Sequence, residues 1–290
     1  MYAETFAYHR ARSLGEAHRL LAEHPGAKLL AGGHSLIPLL KLRLAAPPAL
    51  IDIGRVPELR GIELSSGTLR IGALSTHAEL ADSPAVRDAA PALAEAAGLV
   101  GDPAVRNRGT IGGNIAHADP ASDLPAVLVA LDAQVVATGP SGERTLPAVD
   151  FFTGLMMTAL SEDEVVTAVL VPASPAWRGS TYVKFAHPAS RYAVVGVAAA
   201  VRMQAGTCQE ARVALGGLVP HPRRAAAVEQ SLAGTSADEA AITAAAGLVA
   251  RDLGEDVLGD IYASAEYRAA VAPVYVARAV AAAVARAGTV

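Results

Sequence analysis

Apolar residues recur at helical spacing near the start of the chain and predict an amphipathic helix. Leu14 and Ala17 fall on one face of this segment, and Ser13 and Glu16 form a capping-box pattern at its beginning. A proline and a glycine at positions 25–26 interrupt the pattern. The first helix is therefore expected to begin after Ser13 and to end before residue 25.

Short apolar runs then predict a small βαβ-like unit. Residues 28–31 fit a strand that enters a glycine turn at residues 32–35, and an apolar segment follows at residues 36–40. Residues 49–53 fit the next strand. The glycine turn is thus expected at a strand end, where backbone N–H groups can face a ligand.

The middle of the chain alternates further strand and helix patterns. These are a strand at 68–73, a helix capped by Thr76 and Glu79, a helix at 91–97, a second glycine turn at 109–114, and strands at 134–138 and 164–171. We expect the three strands to share one sheet.

A change of composition to Pro, Ser and Gly at residues 172–179 predicts a domain boundary near residue 175. Beyond it the pattern predicts strands at 181–185, 193–203 and 208–216, followed by helices at 225–232, 237–252 and 264–286. Strands first and helices last indicate an α+β domain with helices on one face of its sheet.

Charge and composition restrict the possible partners and location. A net charge of -4 and a pI near 6.1 disfavour a nucleic-acid partner, because no basic field is available. The most apolar stretch, residues 269–285, contains Pro273 and Arg278 and is interpreted as a buried helix, not as a membrane span. The first twelve residues lack an apolar stretch of signal-peptide length. A cytoplasmic location is therefore expected, with peripheral contact to the inner face of the membrane left open.

Cys208 is the single cysteine of the chain, and iron–sulfur clusters need several thiolates. Any such cluster must lie on another chain, and Cys208 is expected in the core or at a sheet edge. The histidines form no metal-ligand pattern, and no G-x-S-x-G elbow nominates a catalytic serine. Neither a metal site nor a catalytic residue is expected in this chain.

The two glycine turns carry the most specific chemical signal. Neither matches G-x-G-x-x-G or the Walker pattern, which disfavours a nicotinamide Rossmann domain. Each contains a Gly-Gly pair followed by a small polar residue, and successive N–H groups in such a turn can bind a diphosphate. Either turn alone could also be an ordinary tight turn.

At this point the sequence resembles a known family. Residues 31–38 and 110–114 resemble the paired FAD-binding motifs of the medium subunit of aerobic carbon monoxide dehydrogenase and of its relatives, the flavin domains of xanthine dehydrogenase and other molybdenum hydroxylases. The resemblance continues through residues 118–125, 184–185 and 191–195 and covers nearly the whole chain.

The resemblance implies a specific architecture. Residues 1–175 would form a two-part FAD-binding domain of the vanillyl-alcohol-oxidase/PCMH type, with subdomains at about 1–55 and 56–175. Residues 176–290 would form a smaller α+β domain of the carbon monoxide dehydrogenase flavoprotein type, with a three-stranded antiparallel sheet and helices.

The resemblance also implies a set of cofactor-binding residues: Ala31, Gly32, Gly33, His34, Ser35, Thr110, Ile111, Gly112, Gly113, Asn114, Asp123, Leu160, Lys184 and Tyr192. Asp123 would meet flavin ribityl or ribose hydroxyls, with a helix N-cap as the alternative. Lys184 would lie near the flavin ring, with a solvated strand lysine as the alternative. Tyr192 would cover one ring face and Leu160 would lie near the ring, although both could be core residues.

In such a complex the molybdenum cofactor lies in a large partner subunit and two [2Fe-2S] clusters lie in a small one, the whole forming a dimer of heterotrimers. The FAD of this chain would collect electrons from the clusters and pass them to an external acceptor. Two other interpretations stay open from the residues alone. The chain could be a self-sufficient flavin oxidoreductase acting on a small organic substrate, or a non-catalytic subunit whose flavin site has decayed.

Overall fold

A computed structural model describes residues 2–174, 177 and 179–288. The N-terminal unit contains β1 (Ala7–Arg10), α1 (Leu14–Glu23), β2 (Lys28–Leu30), α2 (Leu36–Lys41) and β3 (Ala49–Asp52). Its strands are parallel and lie in the order β1-β3-β2. The βαβ-like unit and its helix are confirmed, and β1 is an additional strand that the sequence pattern did not predict.

The N-terminus of α1 forms only half of the expected capping box. Ser13 accepts a hydrogen bond from the Glu16 amide at 3.1 Å, as predicted. The Glu16 carboxylate, however, accepts a hydrogen bond from the Arg12 amide at 2.8 Å. At Thr76 and Glu79 both hydrogen bonds of the predicted capping box are present.

The second unit is built on an antiparallel sheet with the order β4-β5-β10-β6-β7 in the described residues. Its strands are β4 (Ile62–Ser65), β5 (Thr68–Gly72), β6 (Gln134–Gly139), β7 (Gly142–Pro147) and β10 (Val165–Pro172), with β8 (Phe152–Gly154) and β9 (Met157–Thr158) forming a separate ribbon. The helices are α3 (His77–Asp82), α4 (Pro84–Ala89), α5 (Pro91–Leu99), α6 (Pro103–Arg106), α7 (Ile111–His117), α8 (Leu124–Ala130) and α9 (Ala148–Phe151). The three predicted strands do share one sheet, as β5, β10 and β6.

The C-terminal domain is an antiparallel sheet followed by helices, as predicted. It contains β11 (Ser180–Ala186), β12 (Ala193–Gln204), β13 (Thr207–Gly216), β14 (Arg223–Arg224), α10 (Ala226–Leu232), α11 (Glu239–Ala246), α12 (Ala250–Leu253) and α13 (Ala265–Ala287). Two details of the prediction were wrong. A fourth strand, β14, pairs with β13, and a 3-10 turn at Gly247–Val249 divides the helix predicted at 237–252. The predicted boundary near residue 175 lies outside the described residues.

Both faces of the C-terminal sheet are buried. On β12, Val197 and Ala199 pack with α10, α11 and α13, whereas Ala198 and Ala200 pack with the core of the second unit. Each of these four residues is at most 1% exposed. Strands covered on both sides become continuously apolar, which explains the small aliphatic residues of β12. Cys208 is fully buried in the cluster beneath α13, so it is a core residue.

The helix α13 is long and apolar enough to cross a membrane by length and composition alone. It carries Arg268, Arg278 and Pro273 within its span. Its residues Ala272, Val276 and Ala279 are buried in the core cluster beneath the C-terminal sheet. One face of α13 therefore belongs to the protein core.

Candidate functional site

A cavity of about 730 Å³ lies where the three units meet. It is lined by the first glycine motif (residues 31–35), by parts of the second glycine motif (residues 110–114), and by residues 122–123, 158–162 and 190–192. This volume is within the usual range for cofactor sites. We call it the central cavity. Most residues that the sequence predicts as cofactor-binding line it; Ile111 and Lys184 do not.

The first glycine motif presents unpaired backbone donors to the central cavity. Within the described chain, the amide N–H groups of residues 32–36 have no hydrogen-bond acceptor. Gly33 has φ +78°, a left-handed conformation that favours glycine. Buried or half-buried amides normally find partners, so this run of free donors is suited to an anionic ligand.

Gly32 is required for a close approach between the two glycine motifs. A Cβ at Gly32 would overlap the carbonyl oxygen of Arg108 and would lie 2.9 Å from the Cα of Gly109. No side chain larger than hydrogen fits in that space. The Gly-Gly pair of the first motif therefore combines a left-handed turn at Gly33 with a backbone contact at Gly32.

The second glycine motif was predicted as a turn after a strand, and this was wrong. Thr110 is instead the N-cap of α7, and Gly112 and Gly113 lie in the first turn of that helix. The four amides of residues 111–114 all donate within the protein: Ile111 to Ser75 O at 3.0 Å, Gly112 to Ala73 O at 2.8 Å, Gly113 to Thr110 Oγ1 at 3.2 Å, and Asn114 to Thr110 O at 2.9 Å. They cannot form a second anion-binding nest.

Packing explains the sequence of the second motif. A Cβ at Gly112 would lie 2.5 Å from the Cβ of Ala73. Ile111 is fully buried in the core of the second unit, so its side chain does not reach the cavity. Asn114 faces the cavity and accepts a hydrogen bond from Ser122 Oγ at 2.8 Å through its side-chain oxygen. The side-chain amide nitrogen of Asn114 remains as a donor.

Asp123 occupies the N-cap position of α8, but its side chain makes no capping hydrogen bond. The carboxylate accepts hydrogen bonds from Tyr182 Oη at 2.7 Å and from Lys184 Nζ at 2.9 Å. Asp123 is only 4% exposed, and burial raises the pKa of its carboxyl while the nearby Lys184 opposes that shift. Asp123 therefore holds the predicted N-cap position without a capping hydrogen bond from its side chain, which is a buried, hydrogen-bonded acid at the cavity wall.

Lys184 lies behind Asp123. Its Nζ donates to Asp123 Oδ2, to Leu99 O at 3.0 Å and to Arg191 O at 2.8 Å, which uses all three ammonium donors. The side chain is 2% exposed, so the solvated-lysine alternative is wrong. The structure places Lys184 next to two residues that line the cavity, Asp123 and Arg191, and not in the lining itself.

Tyr192 and Leu160 both line the central cavity. Tyr192 is 47% exposed at its mouth, which excludes the core alternative. It follows Arg191, whose φ of +62° turns the chain after β11. Leu160 is half-buried and also packs against the core of the second unit, so the core position holds, and contact with the flavin ring stays a prediction.

His77 also lines the cavity, and sequence reasoning assigned it no role. The side chain is 3% exposed, and its pKa is lowered to about 4, because burial and then the nearby His34 and Arg106 disfavour the charged imidazolium. The one sequence signal was its place directly after the Thr76 cap, and that signal predicts a helix start, not a ligand.

Two family models match the chain. Residues 4–174 match the FAD binding domain in molybdopterin dehydrogenase, and residues 180–283 match the CO dehydrogenase flavoprotein C-terminal domain. The first match alone covers more than half of the chain.

Similar proteins cover the chain from end to end. It is 44% identical over 289 residues to the carbon monoxide dehydrogenase medium chain of Hydrogenophaga pseudoflava, covering 99% of both. It is 39% identical to the glyceraldehyde dehydrogenase medium chain of Sulfolobus acidocaldarius, covering 81% of this chain and 83% of that one.

A solved structure of Hydrogenophaga pseudoflava carbon monoxide dehydrogenase that lacks the Mo-pyranopterin moiety of the molybdenum cofactor contains a chain with the same fold. The TM-score is 0.94 at 45% identity, with 99% of each chain covered. The α+β two-domain architecture and the resemblance seen in the sequence are confirmed. The chain therefore belongs to the family of FAD-binding subunits of molybdopterin dehydrogenases, and it ends in a domain of the carbon monoxide dehydrogenase flavoprotein type.

Proposed function

We propose that this subunit accepts electrons from iron–sulfur clusters of a partner subunit and passes them to an external acceptor, through FAD held in the central cavity. The observation that carries this assignment is the run of unpaired amides at residues 32–36, facing a cavity that also gathers Asp123 and Tyr192. Such a cavity suits a long ligand with an anionic centre and a flat apolar end.

The first glycine motif would hold the diphosphate through its free N–H groups, from the strand end at Ala31 to Ser35. Two observations support this fit. The amides lack acceptors within the protein, and the turn depends on both glycines, because Gly32 has no room for a Cβ and Gly33 has a left-handed backbone conformation. In the second motif, Thr110 and Asn114 offer side-chain contacts, whereas Ile111, Gly112 and Gly113 would act by bringing α7 close to the cofactor.

Asp123 would accept a hydrogen bond from a ribityl or ribose hydroxyl. Lys184 and Tyr182 orient its carboxylate from the protein side and leave the cavity side free for the ligand. Leu160 and Tyr192 would contact the flavin ring, with Tyr192 at the exposed mouth. Lys184 would act on the ring only through Asp123 and through Arg191, to which it also donates.

Bound FAD supplies a carrier that accepts electrons singly and releases them in pairs. The protein residues position it and keep its diphosphate away from water. Any iron–sulfur cluster that feeds this flavin must lie on another chain, because the single cysteine of this chain cannot ligate a cluster. The similarity to medium chains of dehydrogenases supports the presence of partner subunits. The partners that we propose are a molybdopterin-binding large subunit and a small subunit with two [2Fe-2S] clusters, assembled as a dimer of heterotrimers.

Three further assignments belong to this proposal. We place the division of the chain near residue 175, which the family matches to residues 4–174 and 180–283 support. We assign the subunit to the cytoplasm, with the assembled complex free to contact the inner face of the membrane. The substrate is left open, because similar medium chains serve enzymes of carbon monoxide and of glyceraldehyde.

Reconstitution separates this function from its alternatives. The purified full-length chain should take up FAD in a 1:1 ratio and show the flavin absorption spectrum, and reduced partner subunits should then bleach it. Organic substrates added without partners should leave the flavin oxidised. Bleaching by a substrate alone would favour a self-sufficient oxidoreductase, and failure to take up FAD would favour a decayed site.

A further inference from the structure

His77 begins α3 and is held against the loop that precedes the second glycine motif. Its backbone N–H donates to Gly109 O at 3.0 Å, and its imidazole packs on the Cα of the same glycine. A Cβ at Gly109 would lie 2.8 Å from His77 Cδ2 and 2.9 Å from Nε2. Gly109 therefore permits the ring to occupy this buried position.

The imidazole of His77 lacks a protein partner. Its Nδ1 is fully buried without a hydrogen bond, and within the described part of the chain neither ring nitrogen has a donor or an acceptor. Buried polar side chains are normally hydrogen-bonded. Nδ1 is too deeply buried for a ligand to reach, but Nε2 is not among the fully buried unpaired atoms. Because the ring lines the central cavity, Nε2 is the nitrogen that can donate to or accept from a bound ligand.

The first glycine motif also packs against Gly109. A Cβ at Gly32 would lie 2.9 Å from Gly109 Cα, so the first glycine motif and the His77 ring both contact the same residue. The group nearest to His77 in the cavity is thus expected to be the group that the amides of residues 32–36 bind.

Charge near His77 also fits an anion. Arg106 at the end of α6 acts on the imidazole as a positive charge, and His34 of the first motif also lies near it. On its own helix, Glu79 and Asp82 are exposed. Glu95 of α5 accepts hydrogen bonds from Thr181 Oγ1 and from the Tyr182 amide.

The remaining charged residue beside this loop is Arg108, which precedes Gly109 and is exposed. No acidic group acts on the imidazole among the described residues. The local field is therefore positive and is not neutralised by a carboxylate.

We propose that His77 is a further FAD-binding residue, whose imidazole forms a hydrogen bond with the diphosphate held by residues 32–36. This inference rests on the proposed function, since it requires the diphosphate in the central cavity. It assigns a ligand contact to a side chain outside both glycine motifs and explains why an unpaired imidazole is retained in a buried position.

The test compares FAD and riboflavin binding to the full-length apo chain and to His77→Leu. Loss of a hydrogen bond to a charged group should weaken FAD binding by about 10- to 100-fold. Riboflavin lacks the diphosphate, so its affinity should be the same in both proteins. His77→Gln keeps a side-chain donor and should recover part of the FAD affinity.

His221→Leu is the matched control. His221 also has a buried Nδ1 without a partner but lies outside the lining of the central cavity. Its replacement should leave FAD affinity at the wild-type value, with both variants showing a cooperative thermal transition.

Equal FAD affinity in wild type and His77→Leu would overturn the inference, as would an equal loss for FAD and riboflavin, which would indicate a role in the fold. If His77→Leu does not fold, the same comparison on His77→Gln decides: a loss of FAD affinity that riboflavin does not share supports the contact, and unchanged FAD affinity or equal losses of both ligands refute it. A wild-type chain that takes up no FAD would instead contradict the proposed function.

Discussion

The two glycine motifs look alike in sequence and differ in what they do. The amides of residues 32–36 are free, whereas the amides of residues 111–114 are all bound to oxygens of the protein. Gly33 is needed for its left-handed conformation, and Gly112 is needed because Ala73 leaves no room for a Cβ. A Gly-Gly pair can thus either present the backbone to a ligand or let two parts of the backbone touch.

Gly112→Ala is the strongest test of the packing role. The added Cβ would meet Ala73 Cβ at 2.5 Å and Ala73 O at 2.8 Å, both on a strand end that cannot move freely. We expect the apo chain to lose about 3 kcal/mol of stability in denaturant unfolding. Gly113→Ala is the control, since its Cβ would meet Thr110 Oγ1 at 3.0 Å and Ala31 Cβ at 3.8 Å, with no contact shorter than 3.0 Å. Equal losses for the two variants would contradict the packing role.

Acidic pH should lower the stability of the apo chain through His77, which packs against the loop before the second glycine motif. Because the pKa of His77 is lowered from 6.5 to about 4, the unfolded chain binds more protons in this range. Stability is therefore complete above pH 6.5 and decreases as the pH falls towards 4, by about 3 kcal/mol in total at about 1.4 kcal/mol per pKa unit.

The measurement is the free energy of unfolding of the apo chain as a function of pH. His77→Gln removes the titrating group and should flatten the curve between pH 6.5 and 4. A wild-type curve that matches the variant would show that another group controls acid stability.

Gly33→Ala should separate backbone strain from cofactor binding. At φ +78° an alanine costs about 1–2 kcal/mol of stability. Gly234→Ala carries the same strain at φ +80°, in the C-terminal domain, with open space around its Cβ. Gly33→Ala should lose at least as much stability as Gly234→Ala by thermal unfolding, because its Cβ would also meet Ile37 Cγ1 at 3.0 Å and Leu30 Cδ1 at 3.3 Å. Only Gly33→Ala should weaken FAD binding in a fluorescence titration. Equal FAD affinities would argue against the amide nest.

Thr110→Val gives the smallest expected effect. It removes the N-cap hydrogen bond that Thr110 Oγ1 accepts from Gly113 N and should cost about 1 kcal/mol of stability. Thr110→Ser retains the cap and should be close to wild type. If Thr110→Val loses more free energy of FAD binding than free energy of unfolding, Thr110 contacts the cofactor directly. The second motif would then also take part in cofactor binding, as the first motif does.

Local sequence patterns predicted most of the elements because their signals lie within a few residues. Thr76 with Glu79 marked the start of α3, and the continuous apolar run in residues 193–201 marked β12. The sequence pattern did not predict β1, because the residues of this strand are mostly exposed and show no alternation of apolar and polar side chains. The left-handed turn at Gly33 was accessible to sequence reasoning because it depends on one residue type.

Features that join distant residues were not predictable. Nothing near Gly112 indicates that Ala73 will lie against it, and nothing near Lys184 indicates that Leu99 and Asp123 will take its hydrogen bonds. His77 was passed over for the same reason, since its significance comes from Gly109. These contacts are set by how the sheets and helices pack, which periodicity does not describe.

The pairing of Asp123 with Tyr182 and Lys184 has a consequence for biosynthesis. Asp123 belongs to the part of the chain that leaves the ribosome first, and both of its partners belong to β11. Until β11 has been made and docked, this carboxylate has no buried partner, and the loop that carries Tyr192 does not yet exist. We therefore expect FAD to be incorporated after synthesis of the C-terminal domain, so that a chain stalled before β11 stays colourless.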